Sequence, residues 1–159
     1  MKPNLTTNLG FTLLEAIVVL IIVGIVGAAV AARMVFSNPE LAAQTEVAKT
    51  HIRYAQIQSM NSDTVWGIHC EGTSYWLFKD GSKANKVLLP GEDSITVDLS
   101  GKNLTMSGFT DLSFDSWGTP HTGEGALEAS KLLSALNITI SSSEQSKQIV
   151  VTPNTGFIP

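Results

Sequence analysis

The chain has one cysteine, Cys70, among its 159 residues. No intrachain disulfide can form, so the fold must rest on its own apolar core. Its three histidines, His51, His69 and His121, are scattered, and no His-x-x-x-His, Cys-x-x-Cys or Gly-x-Ser-x-Gly stretch supplies a metal site or an activated nucleophile. The sequence therefore argues against an enzyme and calls for no cofactor and no metal. Basic charge is also scarce, with 10 Lys and Arg against 14 Asp and Glu. Setting aside Lys2, Arg33 and Glu15 leaves eight basic and thirteen acidic residues, a net charge of −5 for the remainder. That disfavours nucleic acid as a partner, because phosphate binding depends on clustered Lys and Arg. Lys79, Lys83 and Lys86 do cluster, but around one turn, where a solvated loop is the simpler account. There is no internal repeat and no low-complexity tract.

Charge is missing most conspicuously from Phe11 to Ala32, an apolar run of 22 residues whose only ionisable side chain is Glu15. As a helix it is about 33 Å long, enough to cross a hydrocarbon core of about 30 Å once. A secretory signal peptide has an apolar region of only about 7 to 15 residues followed by small residues, whereas here the small residue, Gly10, comes before the run. Gly24 and Gly27, three residues apart in mid-span, suit close helix packing. A carboxylate within a membrane helix is costly and needs a partner or a function. The competing reading of Glu15 is an acid near a helix end that snorkels to the interface.

The rest of the chain has room for one domain. Ser37-Asn38-Pro39-Glu40 predicts a kink or a restart of the helix, with Asn38 as cap and Pro39 in the first turn. From Leu41 to about Met60, the apolar positions Leu41, Ala48, Ile52 and Ala55, flanked by Val47 and Met60, recur at helical spacing. After Asn61-Ser62-Asp63 the period becomes two. Strands are expected over 64–70, 73–79, 86–89, 94–99, 104–107, 112–114, 138–141 and 148–152, with turns at Glu71-Gly72 and Lys79-Asp80-Gly81-Ser82. Together these form an antiparallel sheet domain. Residues 126–136 read either as a short helix or as a loop entering a strand. Alternation puts Cys70 on one face with Trp66 and Ile68, as a buried, inert thiol. Asp111, Asp115 and Glu124 offer oxygen atoms to calcium, but without a run of acids at alternate positions an ordinary acidic turn is the better reading.

Gly10-Phe11-Thr12-Leu13-Leu14-Glu15, followed at once by the apolar helix, resembles the start of type IV prepilins and of type II secretion pseudopilins. Three further stretches resemble parts of minor pilins, the first of them the helix end of the H-type pseudopilin and mannose-sensitive pilus kinds. They are His51-Ile52-Arg53-Tyr54-Ala55-Gln56, the Phe-Asp-x-x-Gly-x-Pro turn Phe114-Asp115-Ser116-Trp117-Gly118-Thr119-Pro120, and the closing Ile149 to Ile158. For Gly118, Pro120, Pro153 and Gly156 plain turn formation is the main reading. The resemblance implies an α+β, pilin-like fold, in which a long N-terminal helix, its first half spanning the membrane, packs on an antiparallel β-sheet domain. It implies a leader at 1–10, an assembly helix at 11–32, an amphipathic continuation at 33–61 and a β domain at 62–159. By the same resemblance, a prepilin peptidase cuts between Gly10 and Phe11 and methylates the new amino group of Phe11, and Glu15 pairs with the amino terminus of a neighbouring subunit. The expected place is the bacterial inner membrane, with a periplasmic C-terminal domain. The expected partners are other pilin or pseudopilin subunits, the peptidase and the inner-membrane assembly platform. The alternative is a membrane-anchored ligand-binding module, an adhesin or DNA-uptake subunit, using Trp66, Tyr75, Trp76 and Trp117 as contacts.

Overall fold

The computed structural model describes residues 12–35 and 38–159. The cleavage pair Gly10 and Phe11, the leader before them, and Ser37 at the helix interruption lie outside the described residues. Two compact units divide between Ser37 and Asn38. The first is a single helix, α1, Leu13–Val35. Its window Leu13–Val30 has a mean hydropathy of 2.9. Among the described residues this is the one helix long and apolar enough to cross a membrane. An added methyl group at Gly24 or Gly27 would meet nothing within 4 Å.

The second unit opens as the sequence predicts, with a new helix. In α2, Pro39–Ser62, Asn38 is the cap: its side chain accepts the Leu41 amide at 3.0 Å, and Pro39 takes the first turn, where its missing N–H costs nothing. The helix ends at Asp63 in a left-handed conformation. Leu41, Ala48, Ile52 and Ala55 are buried, joined on the same stripe by Gln44, Thr45, His51 and Ser59. Val47 and Met60, which flank this stripe, are exposed. Helical spacing places them just beyond the arc that the sheets cover.

Nine strands follow: β1 Trp66–Cys70, β2 Ser74–Lys79, β3 Ser82–Val87, β4 Val97–Asp98, β5 Thr105–Ser107, β6 Asp111–Phe114, β7 Pro120–Thr122, β8 Leu136–Ser141 and β9 Ser146–Val151. All pair antiparallel, but in two sheets rather than one. The larger runs β3-β2-β1-β6-β7, with β4 also on β2, and the smaller runs β5-β8-β9. Strand β7 falls outside every expected strand, and the 86–89 strand begins earlier, at Ser82, directly after the Asp80-Gly81 turn. The expected 94–99 strand shrinks to two paired residues. The 126–136 segment holds one 3-10 turn, Glu128–Ser130, and then leads into β8.

Helix α2 packs on both sheets, through β1 and β6 of the larger and β8 and β9 of the smaller. Between them lie Ile68, Leu77, Leu112, Phe114, Ile138 and Val151, all fully buried. Each such side chain contributes about 1.5–3 kcal/mol by leaving water. Cys70 faces this core as expected, and burial pushes its thiol above the usual range. On the opposite face of the larger sheet the Phe78 ring and the Leu112 carbonyl lie where a side chain at Gly67 would stand, so only glycine fits there.

Candidate functional site

At the start of α1, Thr12 closes the first turn. Its hydroxyl accepts the Glu15 amide and its carbonyl accepts the Ala16 amide, each at 3.2 Å. Thr12-Leu13-Leu14-Glu15 thus has the spacing of a capping box, Thr at the cap and Glu three residues on. Glu15 is exposed in the first turn of its helix, where a negative charge also suits the unpaired amides at the helix start. Its neighbours along the span are apolar and just as exposed.

In the second unit, the three stretches singled out beyond the N-terminal motif meet at one place. Gln56 on α2 donates one amide hydrogen to the Gly118 carbonyl at 2.8 Å and the other to the Thr155 carbonyl at 2.9 Å. Arg53, one turn earlier, donates to the Ile158 carbonyl at 2.7 Å. The two turns touch so closely that a side chain at Gly156 would sit 2.7 Å from the Gly118 carbonyl. Both glycines have positive φ, 76° and 62°, which other residues adopt only with strain. The turn reading of Gly118 and Gly156 therefore holds, and contact between the turns adds a second requirement for glycine.

The Phe-Asp-x-x-Gly-x-Pro stretch works as one device. Phe114 is anchored in the core, and Asp115 Oδ1 accepts the amides of Trp117 at 2.9 Å and Thr119 at 2.8 Å. Its other oxygen lies 3.3 Å from Nε2 of buried His121. Burial pushes the Asp115 carboxyl up, but the Thr119 and Trp117 amides and His121 together outweigh it and hold the carboxyl below its usual value. Trp117, at the apex, is 85 % exposed. Of the four aromatics proposed as ligand contacts it alone stands clear: Tyr75 and Trp76 are buried and Trp66 packs against the core.

The His51 and Tyr75 side chains are committed within the fold. His51 Nδ1 meets the Tyr75 hydroxyl at 2.9 Å and Nε2 the Pro90 carbonyl at 3.1 Å. Burial lowers the His51 pKa and raises that of Tyr75. The possible calcium acids are each engaged separately: Asp111 with His69 at 2.5 Å, Asp115 with its own turn, and Glu124 with the Lys83 amide at 2.8 Å and ammonium at 3.2 Å. No group of three or more His, Cys, Asp or Glu side chains is placed to hold a metal among the described residues. Two of the three clustered lysines are likewise engaged, Lys83 on Glu124 and Lys86 3.5 Å above the Trp76 ring. An open cavity of about 260 Å³ lies beside α2, lined by Glu46, Val47, Thr50, His51 and Pro90.

No family model and no curated protein matches the chain. Among solved structures it is similar to two crystal forms of the type IV minor pilin FimU of Pseudomonas aeruginosa, at 14 % identity in each case. In one the TM-score is 0.54, covering 76 % of this chain and 87 % of FimU. In the other it is 0.52, covering 75 % and 90 %. This likeness, over about three quarters of the chain, shows a type IV pilin-like fold.

Proposed function

We infer that this chain is a minor pilin or pseudopilin, a structural subunit that joins or primes a type IV pilus or a type II secretion pseudopilus. The observation that carries the reading is an apolar helix long enough to cross a membrane, with its one acid in the first turn, joined to a pilin-like domain. Such a helix is stable in lipid or against other helices, and a filament supplies the second environment. The precursor would sit in the bacterial inner membrane with its C-terminal domain in the periplasm. The prepilin peptidase would remove residues 1–10 and methylate Phe11, and the assembly platform would bring subunits together. A carboxylate costs up to about 3 kcal/mol in mid-span and less near a helix end, and the ammonium of a neighbour's Phe11 offsets that cost when the subunit docks in register.

The capping box offers Glu15 a second role, and one variant separates the two. Glu15→Gln keeps a side chain able to complete the box but removes the charge. In cells with the whole machine, Glu15→Gln protein should be inserted and cut to a mature chain beginning at Phe11, as read by mass, yet be missing from sheared filaments. Normal recovery of the variant in filaments would refute the pairing, and a mature terminus other than Phe11 would refute the processing.

A further inference from the structure

Residues 123–132 run from the end of β7 toward β8 as a strap along one edge of the larger sheet. Strand β7 comes last in the order of that sheet, and the strap lies on its free side. Lys131 forms a bridge with His121, and Leu132 donates its amide to the Pro120 carbonyl at 2.9 Å. The Thr122 hydroxyl adds a hydrogen bond to the Ser130 carbonyl at 3.2 Å. The strap thus occupies backbone groups that an open sheet edge would offer to another strand. It is held there, not relaxed: Ala126 has a φ of 46°, which a residue with a side chain keeps only when its surroundings impose it.

His121 is the side chain that joins this strap to the Asp115 turn. It is buried, with Nδ1 2.9 Å from the Leu127 carbonyl and Nε2 3.3 Å from Asp115 Oδ2. Both partners can only accept. A carbonyl carries no hydrogen, and the Asp115 carboxyl, held below its usual value, is ionised wherever a histidine titrates. A ring with one hydrogen serves one partner and turns a lone pair on the other, whereas a ring with two serves both. Of the other charged groups on the surrounding elements, Asp111 is held by His69, Glu124 by Lys83, and Glu128 is exposed, while Lys131 meets His121 through the backbone bridge. Ser113 stands opposite His121 on β6, but with both ring nitrogens taken the three side chains form no nucleophile relay.

We propose that His121 is a proton-controlled latch: with a hydrogen on both nitrogens it ties the strap to the Asp115 turn, and on losing one it lets the strap leave the edge of β7. The docked form holds the second hydrogen, so docking weakens as pH rises through the titration of His121. The opening is local, because the core residues Leu112 and Phe114 flank Ser113 on β6 and point to the other face of the sheet.

The test follows the full chain in detergent micelles by NMR from about pH 5 to about pH 9, the range in which histidines titrate. Exchange of the Leu132 amide, corrected for the rate of a free amide at each pH, should rise about tenfold with the same midpoint as the His121 ring resonances. Asp115→Asn keeps an oxygen for the Trp117 and Thr119 amides and offers a hydrogen to Nε2, so a ring with one hydrogen then fits both partners. In that variant the dependence should reverse, the strap loosening as pH falls. His121→Gln, which does not titrate, should show no midpoint and decides the matter if Asp115→Asn does not fold. A Leu132 amide that stays protected across the range, a midpoint that persists in His121→Gln, or a folded Asp115→Asn chain with the wild-type dependence would each overturn the latch.

Discussion

Both hydrogens of the Gln56 amide and both oxygens of the Asp115 carboxylate have partners, which is why two glycine turns can be rigid at the surface. Ser59 acts similarly in the interior. It accepts the Trp66 amide at 2.8 Å, and its hydroxyl lies on the carbonyls of Phe114 and of Thr64, so one small side chain ties α2 to β1 and to the end of β6. Asp115 gives a pH signature. Its carboxyl is held below the ordinary value of 3.8 in the folded protein, so the unfolded chain takes up the proton first. The stability it contributes is complete above about pH 4, where both states are ionised. It is lost as pH falls through the lowered folded value. Urea unfolding of the wild type and of Asp115→Asn should therefore differ most at neutral pH and converge once the pH has fallen below that lowered folded value. A difference that stays constant down to that pH would show that the carboxylate's charge contributes nothing.

Among the elements, α2 is the one on which both sheets depend, and its start is set by Asn38 and Pro39. Removing the cap leaves the Leu41 amide without its partner at a helix end. Asn38→Ala should destabilise the domain by about 1 kcal/mol, lowering its midpoint by about 4 °C by calorimetry. Asn38→Asp, which keeps a capping oxygen and places an anion at the helix start, should be neutral or slightly stabilising. Equal losses in both variants would mean that the packing of Leu41 and Ile52, not the cap, decides where the helix begins. Strand β3 shows the opposite dependence, because its polar residues Lys83, Asn85 and Lys86 are exposed and it is held by its pairing with β2.

For the whole molecule, the division between Ser37 and Asn38 separates two kinds of solvent preference. The second unit has its own core and needs nothing from α1 to cover it. A fragment of residues 38–159 should therefore express as a soluble, cooperatively folding monomer at micromolar concentration, while the full chain requires detergent or lipid. Sedimentation and thermal melting of the fragment check this. Its net acidic charge further predicts that duplex DNA binds it weakly, without sequence preference, and less as salt rises. Aggregation of the fragment on purification, or tight DNA binding at physiological salt, would each overturn the corresponding statement.

Local chemistry made much of this legible in the sequence alone. Twenty-two residues with one charge state a helix that water does not favour, Asn-Pro-Glu states a helix start, and Asp-Gly between alternating segments states a hairpin. The Phe-Asp-x-x-Gly-x-Pro turn was readable for the same reason, since its cap, its positive-φ glycine and its anchor lie within seven residues. Pairings between distant segments carried no such signal. That β5 leaves the larger sheet for β8, that β7 pairs beside β6, and that Val47 and Met60 fall outside the covered arc of α2 are decided by what packs against them. The same holds for the site. Residues 51–56, 114–120 and 149–158 each read as an isolated turn or helix end, and only the folded chain brings their carbonyls within reach of one glutamine. Turn and cap preferences act over a few residues, whereas the choice among sheet partners and the meeting of two surface turns follow from burying one shared core. That is why the sequence determined the long apolar helix and most of the elements, and tertiary packing decided where Trp117 stands.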